Sequence, residues 1–238
     1  MSFWSFLRGR RRPPTPELGR KIDRYRALET PAGEGALDQA RFVVVDVETS
    51  GLNPYRDRLI AIGGLVLDGG LLRLGGSFEV VLRQDRPSQP ANILVHGIDG
   101  TTQITGADPA DAILEFFEFA GKAPLIGYHA DFDRVVLSRA ARHFSGFEPE
   151  NLWLDVARLA PALLKADLPA EADLDEWAAA FGIANPLRHN AVADALVTAQ
   201  LFQVVLAAAS SRGIVTLAEL AGTERNQRGL ERFGSRAH

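Results

Sequence analysis

The chain of 238 residues contains no cysteine. That single absence excludes disulfides, thiolate zinc sites, iron–sulfur clusters and cysteine nucleophiles, and it fits a reducing compartment. Lysine is almost missing too, with three residues against 23 arginines, a compositional bias that points to no activity. No apolar run approaches the ~20 residues needed to span a bilayer. In the opening Phe3-Trp4-Ser5-Phe6-Leu7-Arg8-Gly9-Arg10-Arg11-Arg12 the charges follow the apolar residues, the reverse of a secretory signal. The expectation is a soluble, cytoplasmic protein with no membrane association. What remains is an ordinary globular mixture, 46% hydrophobic and 24% charged, long enough to bury a sizeable core.

The net charge of -4 conceals an asymmetry. Residues 1–30 hold eight basic and three acidic side chains, and the rest of the chain holds 18 basic and 27 acidic. A mildly acidic body is unusual for a passive nucleic-acid binder. It suits a metal-dependent enzyme whose clustered carboxylates depress the formal charge until cations occupy them. The basic start reads as an exposed arm, either a contact for a partner, a membrane surface or nucleic acid, or a solubilising tail.

Three segments follow from the patterning: 1–40, a basic arm and an amphipathic helix; 41–210, one α/β domain; and 211–238, a short helix and a polar tail. Leu18, Ile22, Tyr25 and Leu28 recur at helical spacing. From residue 41 the period changes. Phe42 to Val47 is a near-continuous apolar run, as in a strand buried on both faces. Leu59–Leu67 and Leu71–Leu82 read as strands joined by the Asp68-Gly69-Gly70 turn and therefore antiparallel. Short strands at Ala123–Tyr128 and Asn151–Asp155 alternate with helices expected from Pro109 to about Ala120 and from about Phe132 to His143. Further helices are expected near Leu174–Phe181, Ala191–Ala209 and Thr216–Ala221. The sum is an α/β fold, a mixed five-stranded sheet flanked by helices.

Three places collect chemistry. Asp46 and Glu48 end the buried strand, two residues apart and so on one face, where a central strand does not tolerate two carboxylates without a cation. Asp131-Phe132-Asp133 follows another short apolar strand at the opening of a helix, where either acid could equally serve as a cap. His189 and Asp194 share one site only if His189 precedes a helix and Asp194 lies in its first turns, with Asn190 as N-cap. Each place lies where a strand ends or a helix begins, the region in which open α/β sheets build sites.

In this order, Asp-x-Glu, Phe-Asp and His-x4-Asp, the sequence resembles the four-carboxylate (DEDD) 3′–5′ exonucleases of the histidine subclass. That is the family of the proofreading epsilon subunit of bacterial replicative DNA polymerase and its stand-alone relatives. The likeness runs from about Arg41 to Leu206. Val95-His96-Gly97-Ile98-Asp99 resembles the family's His-Gly-Ile element, and Trp153-Leu154-Asp155-Val156 its Trp-x-Asp-Thr segment. Tyr128-His129-Ala130 stands where many relatives have His-Asn-Ala.

The resemblance implies a ribonuclease H-like fold and two divalent cations, Mg²⁺ or alternatively Mn²⁺, which carboxylates without cysteine also favour. It implies that Asp46, Glu48 and Asp194 hold one metal, that Asp46 bridges to the second, and that Asp133 supports that second one. It makes His189 the general base, and Thr49, Gly51, Leu52, His96, His129 and Phe132 the substrate contacts. The implied partner is the 3′ end of single-stranded DNA, with association with a DNA polymerase as a further one. RNA trimming is the alternative within the class, since contacts to the 2′ position are not legible in sequence. A non-catalytic nucleic-acid-binding or polymerase-docking protein is the alternative outside it.

Overall fold

The computed structural model describes residues 15–169, 171–185 and 187–234; the basic arm of residues 1–14 lies outside them. One sheet organises the chain, with strand order β3-β2-β1-β4-β5. Strands β1 (Arg41–Thr49), β2 (Leu59–Asp68) and β3 (Leu71–Val81) are antiparallel neighbours, and β4 (Leu125–Gly127) and β5 (Trp153–Asp155) add in parallel. The β2–β3 turn is Gly69-Gly70, both at positive φ, which is what a two-residue hairpin of native twist requires.

The apolar run of β1 resolves into two sets by the period of two. Val43, Val45 and Val47 enter one core with Ile62, Phe116, Phe117 and Leu137. Phe42 and Val44 enter the other, with Leu65, Leu159, Leu201 and Phe202. The first layer is built by α1 (Pro16–Ala27), α4 (Pro109–Ala120) and α5 (Asp131–Ala140). The second is built by α6 (Val156–Leu163), α7 (Leu174–Ala180), α8 (Ala191–Ser211) and α9 (Leu217–Gly234). Asp46 and Glu48 share the parity of Phe42 and Val44, so they face the layer that contains α8.

Helix α1 is not loosely attached. Tyr25 packs edge-on against Phe117 and Phe147, its hydroxyl donates to Asn151 at 2.7 Å, and the buried Lys122 ammonium lies 4.2 Å from its ring centroid. Leu28, grouped with the apolar face by spacing, falls past the helix end and is exposed.

Several expectations need correction. Helices α2 (Pro90–His96), α3 (Gly100–Thr105) and α6 were not foreseen, and the short C-terminal helix expected at Thr216–Ala221 continues to Gly234. The sequence reading found no membrane-length apolar run, yet α8, at 21 residues, is long and apolar enough to cross a bilayer. Here it lies along β1 and β2, with Ala195, Ala199, Phe202 and Val205 in the core.

Candidate active site

The site forms at the ends of β1 and β4 where α5 and α8 begin. One close approach fixes it. Gly63 of β2 pairs in register with Asp46, and a Cβ on Gly63 would lie 2.3 Å from the Ala191 carbonyl carbon. The backbone at the start of α8 therefore rests on the sheet beside Asp46, a contact no side chain at position 63 would permit.

Asn190 caps α8, accepting from Ala193 N–H at 3.0 Å, so Asp194 stands in the first turn and His189 just before it. His189 has φ 60°, a left-handed conformation uncommon for residues other than glycine and several-fold enriched in Asn, Asp and His. Its backbone N–H donates to Asp194 at 2.8 Å, and its side chain is exposed. The amide of Asn185 donates to the other Asp194 oxygen at 2.7 Å. Two donors thus orient Asp194.

Asp46, Glu48 and Asp194 each offer a carboxylate oxygen, all within 4.8 Å of one another. Burial, and then the Asp133, Glu48 and Asp194 charges, raise the Asp46 pKa well above its ordinary value. Burial, and then Asp194 and Asp133, lift Glu48 to about 8. Asp133 is raised to about 8, mainly by burial, against the hydrogen bond it receives from the Val47 backbone. The N-cap position of α5 is Ala130, with no side-chain cap, so neither Asp131 nor Asp133 fills that role. Burial and neighbouring charges hold Asp46 and Glu48 towards the neutral form, and burial chiefly holds Asp133 there; an acidic cluster of this kind suits hard divalent cations, which take oxygen ligands and favour the ionised form.

The expected substrate contacts surround this cluster unevenly. Thr49 spends its hydroxyl on the Gly51 carbonyl at 2.7 Å, and Gly51 lies against the Asp57 carboxylate. Leu52, 94% exposed, stands out from the loop. His96 is buried at the end of α2; its Nδ1 accepts from Ile98 N–H at 3.1 Å, and Nε2 has no partner among the described residues. Phe132 is half-buried against the first core. His129, with φ 58°, donates its N–H to Asp155 at 2.9 Å. The substitution of His for the relatives' Asn thus keeps a residue type that tolerates a left-handed backbone. Sequence reasoning missed Asn185, Gly63 and the anchoring of His129 by Asp155. Asn185 carries no periodic or motif signal, and the glycine's partner is remote in the chain.

The exonuclease family profile (RNase T) matches residues 43–202. Among curated relatives, the DNA polymerase III subunit epsilon-like protein of Rhodobacter capsulatus is 32% identical over 195 residues, 80% of this chain and 27% of that one. The DNA polymerase III PolC-type of Thermotoga maritima is 27% identical over 187 residues, 79% of this chain and 13% of that one. The chain thus spans less than a third of the length of these relatives. Escherichia coli exonuclease I in complex with a dT13 oligonucleotide superposes with a TM-score of 0.59 at 22% identity, covering 73% of this chain and 42% of that one. That likeness places the sheet and its helices in the ribonuclease H-like exonuclease fold. The profile, the motif order and the fold agree: the chain belongs to the RNase T exonuclease family, within the four-carboxylate (DEDD) superfamily.

Proposed function

We propose that the chain is a 3′–5′ exonuclease that removes nucleoside 5′-monophosphates from single-stranded DNA ends, using two divalent cations, Mg²⁺ or Mn²⁺, and His189 as general base. The observation that carries this reading is the convergence of Asp46, Glu48, Asp133 and Asp194 beside a histidine held at the mouth of α8. Asp46, Glu48 and Asp194 would hold one cation, and Asp46 and Asp133 the other. Bound there, the cations supply charge stabilisation for the phosphoryl oxygens and the departing 3′ oxygen.

The protein's own groups do the rest. The Asn185 and His189 N–H donors hold Asp194 in one orientation. The left-handed backbone at His189 leaves its exposed imidazole as an acceptor for the proton of the attacking water, the general-base role that histidine most often fills. Exposed Leu52 offers an apolar edge to the terminal base.

The test is digestion of 5′-labelled single-stranded DNA with Mg²⁺, with Mn²⁺ and with chelator, alongside a matching RNA. A ladder shortening from the 3′ end, abolished by chelator and by Asp46→Asn, is the expected result. Immediate release of the 5′ label, or cleavage indifferent to chelator, overturns the polarity or the metal dependence. Faster digestion of the RNA reassigns the substrate.

A further inference from the structure

Helix α9 lies outside the family-matched residues 43–202, yet one of its side chains reaches the loop that carries His129 and a second joins the same ion-pair network. Glu224 and Arg228 are one turn apart on α9 and 3.3 Å from each other. Arg228 pairs with Asp131, the first residue of α5, at 3.1 Å. Glu224 pairs with Arg158 of α6 at 3.3 Å. Arg158 in turn bridges Asp131 at 3.0 Å and Asp155 at 2.7 Å. Asp155 is the residue that accepts the His129 N–H.

The arrangement closes around the loop from both sides. Asp155 fixes the loop where it enters, and Asp131 fixes it where α5 begins, two residues before Asp133. A histidine at φ 58° persists only where its surroundings over-determine the backbone. Three of the charges that do so are largely out of water, the Asp155, Glu224 and Arg158 side chains being 3%, 6% and 16% exposed, while Arg228 and Asp131 are part-exposed at 33% and 40%. Such pairs hold geometry firmly when complete and loosen it when one partner is removed, because the remaining charge is left buried.

We propose that Glu224 and Arg228 of α9 are positioning residues for the site: through Arg158 and Asp131 they hold the 128–131 loop, and with it the start of α5, in the conformation that receives the nucleic-acid end. The C-terminal helix thereby becomes part of the substrate-binding apparatus without touching the reacting atoms. The inference rests on the exonuclease reading for its consequence in catalysis, but its structural core can be measured without activity.

The experiment compares the full chain with Arg228→Ala, Glu224→Gln and the conservative Arg228→Lys, by amide hydrogen exchange without metal and by oligonucleotide kinetics with Mn²⁺. The His129 and Phe132 amides, which donate to Asp155 and to the His129 carbonyl, should exchange about tenfold faster in Arg228→Ala and Glu224→Gln. The amides of β1 should not change. The KM for oligonucleotide should rise several-fold more than kcat falls, and Arg228→Lys should recover most of both effects. Unchanged exchange at 129 and 132 in either variant overturns the proposal. So does acceleration shared equally by β1, since α9 would then be a general clamp on the domain. A parent chain that degrades no oligonucleotide refutes the exonuclease reading alone, because the exchange comparison still decides the loop.

Discussion

At the scale of residues, the acidic cluster has a cost that pH exposes. Glu48 and Asp133 titrate at about 8 in the folded chain but near ~4 when unfolded. A group whose pKa is raised by folding contributes stability that is fully present below its unfolded value and lost as pH rises through the folded one. In chelator, the melting temperature should therefore fall as pH rises from about 4.5 to about 8. Asp46→Asn, which removes one of the repelling charges, should flatten that slope and raise the melting point near pH 8 by about 2–4 °C, equivalent to about 1 kcal/mol. A flat profile in the parent, or a variant that melts lower at pH 8, would mean that the acids are compensated within the protein. His189 is a separate matter, since only its backbone is tied to the cluster. His189→Ala should lower kcat by ~10² to 10⁴ while titration with Mn²⁺ shows unchanged affinity. Near-parental kcat would return His189 to an ordinary loop position.

Among elements, the decisive contact is α8 on β2. A methyl group at position 63 would meet the Ala191 backbone at 2.3 Å, and overpacking of this kind costs about 1–3 kcal/mol. Gly63→Ala should also weaken Mn²⁺ binding by on the order of tenfold or more, because Asp194 moves with the helix. Gly75→Ala in β3, where an added Cβ meets nothing within 4 Å, is the control and should change neither. Equal metal affinity in both variants would detach α8 placement from the site. What the chain revealed in advance follows the same physics. The hairpin and the buried β1 were legible because strand periodicity and a Gly-Gly turn are local signals. The order of acids was legible because chemistry-bearing residues cluster at strand ends. Helices α2 and α3 were not, being too short for a period to show. Helix α6 repeats Val156, Leu159, Ala160 and Leu163 on its buried face but contains Pro161, which reads as a break. The length of α9 escaped because Gly222 and Gly229 interrupt a largely polar stretch. Asn185 precedes Asp194 by nine residues in a loop that carries no period, and the Arg158 pairs with Asp131 and Glu224 join segments 27 and 66 residues apart.

For the whole molecule, cations and folding are linked. A ligand that binds only the folded chain stabilises it by about 2.7 kcal/mol at a hundredfold excess over its Kd, so saturating Mn²⁺ should raise the melting temperature, most strongly at high pH. Scanning calorimetry at pH 6 and pH 8, with and without the ion, gives the comparison; an equal increment at both would disconnect the metal from the carboxylates. The geography of the four acids has another consequence. They come from β1, α5 and α8, early, middle and late in the chain, and α8 must seat against Gly63 before Asp194 joins the others. Contacts between such distant segments form slowly, because closing long loops precedes any reward. During synthesis, therefore, an exonuclease of the kind proposed cannot bring its four acids together until α8 has left the ribosome.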